Sequence, residues 1–391
     1  MRTTARVALA AALVLGLAAG AIAPAAAETA SSATALSTAV PTPDAEALSA
    51  AIAGLPNADA TAALVRVGGT GGSWTGSAGV ADLETGRKAM EHARFRAGSV
   101  TKTFTAAVVL QLAAEGKVDL NEPVQTYLPG LLPDTFEPVT VRQLLNYTSG
   151  IQAADGPGDS FEALYAHRFD TVDPRAQIAN AVAKGPEFSP GTKQHYLNID
   201  YTVLGLLIEK LTGTSYEQAV RDRILKPLGL RHTSFPGADP RIHGPHNHGY
   251  QAVEKPDGST ELVDVTEWCS TDRRAAGDII STTADLERFL FALFRGEVVP
   301  EPQLEEMFTL PKVKDFASGK SAQFTAGLSR IVLPDGTVAW GKTGGRYGYN
   351  TAIGATRDLS RTLVYSVNSI DAKGENMNPV AMDIVLAAFA R

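Results

Sequence analysis

Cysteine is almost missing from this chain: Cys269 stands alone among 391 residues. No internal disulfide can form, so the core has to hold the fold. A lone cysteine of this kind reads as a small buried hydrophobe rather than a nucleophile. Long Lys/Arg runs are also missing, and the net charge is −7. Nucleic acid and anionic membrane surfaces are therefore poor partners. No internal repeat is visible, which excludes solenoids and propellers. The C-terminal end carries no apolar tail that could act as an anchor.

The composition is globular, with 44% hydrophobic and 20% charged residues. The length suits one large or two medium domains with a real core. Residues 1–27 have the form of an export signal. Arg2 and Arg6 precede an apolar run over 7–22, and Pro24-Ala25-Ala26-Ala27 offers an A-x-A cleavage site. That run is broken by glycine and short for a membrane span. The expectation is a secreted, soluble protein without a stable membrane anchor. An Ala/Ser/Thr/Pro-rich flexible leader is expected over 28–43.

Residues 44–55 have helical spacing, with Thr42-Pro43 as the start. Residues 62–67 and 73–80 read as strands joined by a glycine-rich turn. From 99 to about 310 the pattern is mainly helical, clearest over 139–146, 175–183, 200–211, 216–224 and 285–294. Strands return over 328–333, 337–340, 349–356 and 362–368, and a last helix opens at Asn378-Pro379. The fold class expected is α+β: an antiparallel sheet from both chain ends, flanked by terminal helices, with a mainly helical inserted lobe. Residues 44–98 and 311–391 would form the sheet lobe and 99–310 the helical one. The cleft between them is where a site is expected.

Gly98-Ser99 reads as a helix start, with Ser99 as the entry residue. From Phe104 on, apolar residues fall on every side until Glu115-Gly116-Lys117 stops the helix, so it is a buried one. Ser99 and Lys102 stand one turn apart on the same face. A lysine in a dry cleft loses part of its preference for charge, and its neutral amine can take a proton from serine. The plain alternative is a capping serine with a solvated lysine.

Two further motifs stand at suggestive places. Tyr196-Leu197-Asn198 precedes a helix, and Lys342-Thr343-Gly344-Gly345 ends a strand pattern. Singly, Tyr196 reads as a packed aromatic, Asn198 as a helix cap and Lys342 as an edge-strand charge. Gly336 to Thr343 also satisfies G-x-x-x-x-G-K-[ST], but strand formers fill its variable positions and no helix follows. His243, His246 and His248 cluster in a Gly/Pro loop without acidic residues at a familiar zinc spacing, so a loop rather than a metal site is expected.

Together, S-x-x-K, Y-x-N and K-T-G in this order resemble the motif set of the serine β-lactamase/DD-peptidase superfamily. The resemblance is to the branch with Tyr in the middle motif. That branch holds class C β-lactamases and the secreted D-alanyl-D-alanine carboxypeptidases of actinomycetes. Phe95-Arg96-Ala97-Gly98-Ser99 and Gln143-Leu144-Leu145-Asn146-Tyr147-Thr148-Ser149-Gly150 resemble the same branch. The likeness covers the chain from about residue 44 onward.

The resemblance implies a serine hydrolase that works through an acyl-enzyme and needs no cofactor or metal. Ser99 would be the nucleophile, with Lys102 and Tyr196 sharing the proton work. The backbone N–H groups of Ser99 and Gly345 would form the oxyanion hole. Asn198 would bond the substrate amide and Lys102. Lys342, Thr343 and Gly344 would bind the substrate, and Lys342 would keep the field at Tyr196 positive, favouring phenolate. Trp268 and Arg330 are further substrate-binding candidates. The implied substrate is a peptidoglycan stem peptide or a β-lactam, and the implied state a monomer. A β-lactamase, an esterase, a D-amino-acid amidase and a low-turnover penicillin-binding protein would use the same residues. No motif marks a base for the deacylating water, so slow release of β-lactams is expected.

Overall fold

The structure is a computed structural model that describes residues 40–389. Residues 1–27, read as an export signal, and residues 28–39 of the expected leader lie outside the described residues. Residues 40–43 run beside Gly71, and the Pro41 carbonyl accepts from Arg361 at 2.7 Å.

Strands from both ends of the chain build one sheet. β1 (Ala60–Gly68) and β2 (Trp74–Asp82) form a hairpin, extended by the short β3 (Arg87–Lys88). A separate hairpin in mid-chain pairs β4 (Tyr250–Glu254) with β5 (Thr260–Asp264). β6 (Ser329–Val332), β7 (Val338–Arg346), β8 (Tyr349–Thr356) and β9 (Thr362–Ser369) follow. The large sheet has the order β6-β7-β8-β9-β1-β2-β3 and every neighbouring pair is antiparallel. The pairing of β1 with β9, where Leu64 lies opposite Ser366, joins the two chain ends.

Helices α1 (Ala45–Ala51), α2 (Thr101–Ala114), α3 (Ile199–Thr212), α4 (Thr283–Phe294) and α5 (Pro379–Phe389) frame this sheet and the site. Because side chains alternate along a strand, β1 serves two cores. Ala63, Val65 and Val67 pack with Leu48 of α1 and with Val380 and Ile384 of α5. Leu64 joins the other core with Ile353, Val364 and the α4 residues Leu286, Phe289 and Leu290. The α+β class and the antiparallel sheet from both ends are therefore as expected.

Differences from the sequence reading have local causes. Asp44, not Thr42-Pro43, opens α1: its carboxylate accepts from the Ala47 N–H at 2.9 Å. The β4–β5 hairpin sits inside the stretch that reads as mainly helical, and the Ala252 N–H donates to the Ile370 carbonyl beyond β9. β7 does not stop at residue 340 but runs to Arg346, because pairing with β8 carries it through three glycines. A tight turn follows it and no helix, so the nucleotide-loop pattern has no phosphate cradle.

α2 packs against α3 and its neighbouring helices with nearly every side chain buried. Phe104 stacks on Phe289 of α4 with ring centroids 3.7 Å apart. Its buried hydroxyls are all bonded. Thr101 accepts from the Ile279 N–H, Thr103 donates to the Gly327 carbonyl and Thr105 to the Ala275 carbonyl. These bonds pull the 275–279 loop onto the first turn of the helix.

Candidate active site

The first element is the turn before α2. Gly98–Val100 form a single 3-10 turn that runs into α2 with no side-chain cap. Ser99 is therefore not a cap; its hydroxyl lies 3.1 Å from Lys102 Nζ, one turn on. β7 crosses this turn at backbone contact. A Cβ on Gly344 would stand 2.0 Å from the Ala97 oxygen and 2.9 Å from the Ser99 nitrogen. One on Gly98, whose φ is +52°, would stand 2.7 Å from the Gly345 nitrogen. Only glycine permits that approach, and it brings the Ser99 and Gly345 nitrogens to one junction.

Lys102 is completely buried. Besides Ser99 its amine reaches Asn198 Oδ1 at 2.7 Å and the Ala276 carbonyl at 2.6 Å. Asn198 thus spends its side chain on Lys102 and makes no cap for α3. Burial holds the Lys102 amine well below the usual lysine range, and the positive charges of Lys342, Arg273 and Lys373 lower it further. Its hold on a proton is weakened.

Tyr196 lies between two amines. Lys102 Nζ is 5.1 Å and Lys342 Nζ 4.7 Å from its ring centroid. Its buried hydroxyl has no partner within hydrogen-bonding geometry. Burial pushes this phenol above its ordinary range, while Ser99 and Arg273 pull it partly back. Neighbouring positive charge favours phenolate at Tyr196, but loss of solvation outweighs it and the net shift is upward. Lys342 donates to the Thr343 carbonyl at 2.8 Å, and burial pushes its amine down to about 7. Thr343 is exposed on the same strand, whereas Gly344 is buried against Ala97.

A second layer escaped the sequence reading. Tyr147 is fully buried at a φ of 61° and packs its ring on Tyr196 and Tyr201, with centroids 4.7 and 5.2 Å away. Asp200 is buried with the Ser149 hydroxyl as its partner, and burial holds its carboxyl well above the usual carboxylate range. Both belong to the Asn146–Gly150 and Asn198–Tyr201 segments, so their positions, though not their roles, were visible in the motifs.

Ser99, Lys102, Tyr196, Asn198, Lys342, Gly344 and Gly345 thus come together, with Thr343 beside them. Of the other two candidates, Arg330 lies apart and Trp268 borders the group through Tyr347. Arg330 is exposed on the outer strand β6, opposite Trp340, and its backbone bonds to Gln323 rather than to the cluster. Trp268 is buried, stacked on Tyr347 at 5.1 Å, so Tyr347 is the more open ring of that pair. His243 and His248 pair with Asp239 and Asp264, and among the described residues no group of side chains is arranged to hold a metal. Cys269 is buried beside Thr271.

Residues 45–386 match the Beta-lactamase family. The chain belongs to that family. A D-stereospecific amidohydrolase from Streptomyces is 33% identical, with a TM-score of 0.76 over 89% of this chain and 99% of that one. Protein flp of Staphylococcus aureus is 32% identical over 54% of this chain and 41% of its own length. Esterase EstB of Burkholderia gladioli is 35% identical over 44% of this chain and 46% of its own. The chain spans about half the length of the curated relatives it matches. A D-amino acid amidase from Ochrobactrum anthropi, 24% identical with a TM-score of 0.73, shares the fold. Family membership and these relatives make the chain a serine hydrolase of the β-lactamase fold.

Proposed function

We propose that this is an exported acyl-transferring hydrolase that cleaves D-alanyl-D-alanine-type peptides through a Ser99 acyl-enzyme. The observation that carries the reading is the buried Lys102 amine, its hold on a proton weakened by burial, 3.1 Å from the Ser99 hydroxyl. A neutral amine there accepts the serine proton as Ser99 attacks. The Ser99 and Gly345 N–H groups face the developing oxyanion. Tyr196, a protonated phenol, hands a proton to the leaving nitrogen and recovers one from the Lys102 ammonium, which holds the proton taken from Ser99. Asn198 fixes Lys102 and receives the substrate amide. Lys342 and Thr343 bind the carboxylate of the leaving residue, which favours a carboxypeptidase. The secretory reading of residues 1–27 supports export to the cell wall, where such peptides occur. A monomer completes the reading.

The test incubates the purified chain with a fluorescent penicillin and with an acylated D-alanyl-D-alanine peptide, beside Ser99→Ala. The expected result is release of D-alanine and a long-lived penicilloyl adduct, both lost in the variant. No label and no release would overturn the reading, and rapid penicillin turnover would make the chain a β-lactamase instead. A second reading, hydrolysis of D-amino-acid amides, is favoured by the likeness to the Streptomyces amidohydrolase along nearly its whole length. Ammonia released from D-phenylalanine amide, without peptide cleavage, would establish it.

A further inference from the structure

β7 lays out the site in order. Thr343 comes first, the Gly345 nitrogen next, then Arg346 and Tyr347. With the leaving carboxylate at Lys342 and Thr343 and the reacting carbonyl at Gly345, the acyl half of a substrate extends toward Arg346 and Tyr347. Positive charge gathers on that side. Arg346 is buried and already committed: one Nη donates to both oxygens of Asp272 at 3.2 and 3.3 Å, and the other to the Cys269 carbonyl at 3.4 Å.

Two further cations stand nearby. Arg273 Nε stands 3.6 Å from Asp272 Oδ2, and Nη1 donates at 3.3 Å only to the adjoining Asp272 carbonyl. Lys373, on the turn after β9, donates from Nζ to the Gly345 carbonyl at 2.6 Å. Arg346 and Arg273 thus share one carboxylate, Lys373 sits on the Gly345 carbonyl, and Arg273 and Lys373 keep donors to spare. A Cβ on Gly277 would stand 3.3 Å from Arg273 Cβ and 3.6 Å from the Gly98 carbonyl carbon, and Lys373 bonds Gly345, so both cations border the reacting groups and not a remote surface. Lys373 is an exposed residue, and Arg346 and Arg273 crowd its ammonium with like charge. A bound anion would offset this strain.

We propose that Arg273 and Lys373 form an anion subsite for the acyl half of the substrate, so that the preferred acyl donor carries a carboxylate of its own. This rests on acyl transfer at Ser99. The same charges disfavour amino-acid amides, whose free ammonium would enter beside them. The substrate class is therefore an acidic N-acyl peptide or half-ester rather than a free amino-acid amide.

A pair of substrates with the same scissile bond isolates the effect. p-Nitrophenyl butyrate and the mono-p-nitrophenyl ester of glutaric acid differ by a terminal carboxylate. Rates are corrected with Ser99→Ala, and the readout is the glutarate-to-butyrate ratio of kcat/KM, which loss of folded protein does not move. The expected ratio is about tenfold in favour of the acid at low salt and shrinks as salt is raised. It should fall severalfold in Arg273→Gln and in Lys373→Met, and be kept in Lys373→Arg. A ratio near one in the native chain, or one unchanged in both neutral variants, overturns the subsite and leaves the hydrolase reading standing. Failure of both esters to react with Ser99 overturns the hydrolase reading, and the subsite with it.

Discussion

Two buried lysines do different work because their surroundings differ. Lys102 is fully enclosed and bonded to Ser99, Asn198 and Ala276, so removing it takes away the acceptor for the serine proton. In Lys102→Met the rate of penicillin labelling should fall by about 10²–10⁴-fold, measured by rapid quench. Lys342 carries a stability signature as well. Burial pushes its amine down to about 7 in the folded chain, below the free lysine. Between that value and the unfolded lysine range the unfolded state binds more protons, so native stability rises with pH through this window. Below about 7 both states are protonated and the full cost of burying the charge is present. Lys342→Met should therefore raise Tm at pH 7, by roughly 2–4 °C per kcal/mol recovered. Calorimetry should find the gain shrinking toward pH 10. A lower Tm for the variant at pH 7 would mean that contacts of the amine outweigh its burial.

The crossing of β7 over the Gly98–Val100 turn is the joint on which the site depends. The turn belongs to α2 and the strand to the sheet, so their contact sets the distance between nucleophile and oxyanion donors. Gly344→Ala places a methyl 2.0 Å from the Ala97 oxygen, a clash between two backbones that neither can relieve by rotating a side chain. The strand has to lift from the turn. Acylation by a fluorescent penicillin should drop by about 10²-fold or more, and stability should fall by about 1–3 kcal/mol in urea titration. A variant that labels at the native rate would show that the oxyanion donors are placed by something else.

The fold divides stability from chemistry. α1 and α5 cover the sheet face away from Ser99, and Ile384 is fully buried there among Leu48, Val65 and Val380. Ile384→Ala should cost about 2–5 kcal/mol by denaturant titration. The acylation rate per folded molecule should stay native, since no site residue touches that core. A parallel loss of rate in fully folded protein would show that the terminal helices brace the cleft through the sheet.

Much of this was legible along the chain because it is local. The spacing of Ser99 and Lys102 on an apolar helix, the Tyr196-Leu197-Asn198 motif and the strand periods near both termini depend on near neighbours and on 3.6- and 2-residue repeats. What decides the chemistry is not local. The Ala276 carbonyl that holds Lys102 lies 174 residues away in sequence, and the loss of water that weakens its hold on a proton exists only in the packed fold. Folding also turned Arg330 outward, buried Trp268 under Tyr347 and set Arg273 and Lys373 beside the cleft. No pattern along the chain announces such positions, because solvation and long-range charge belong to the packed structure.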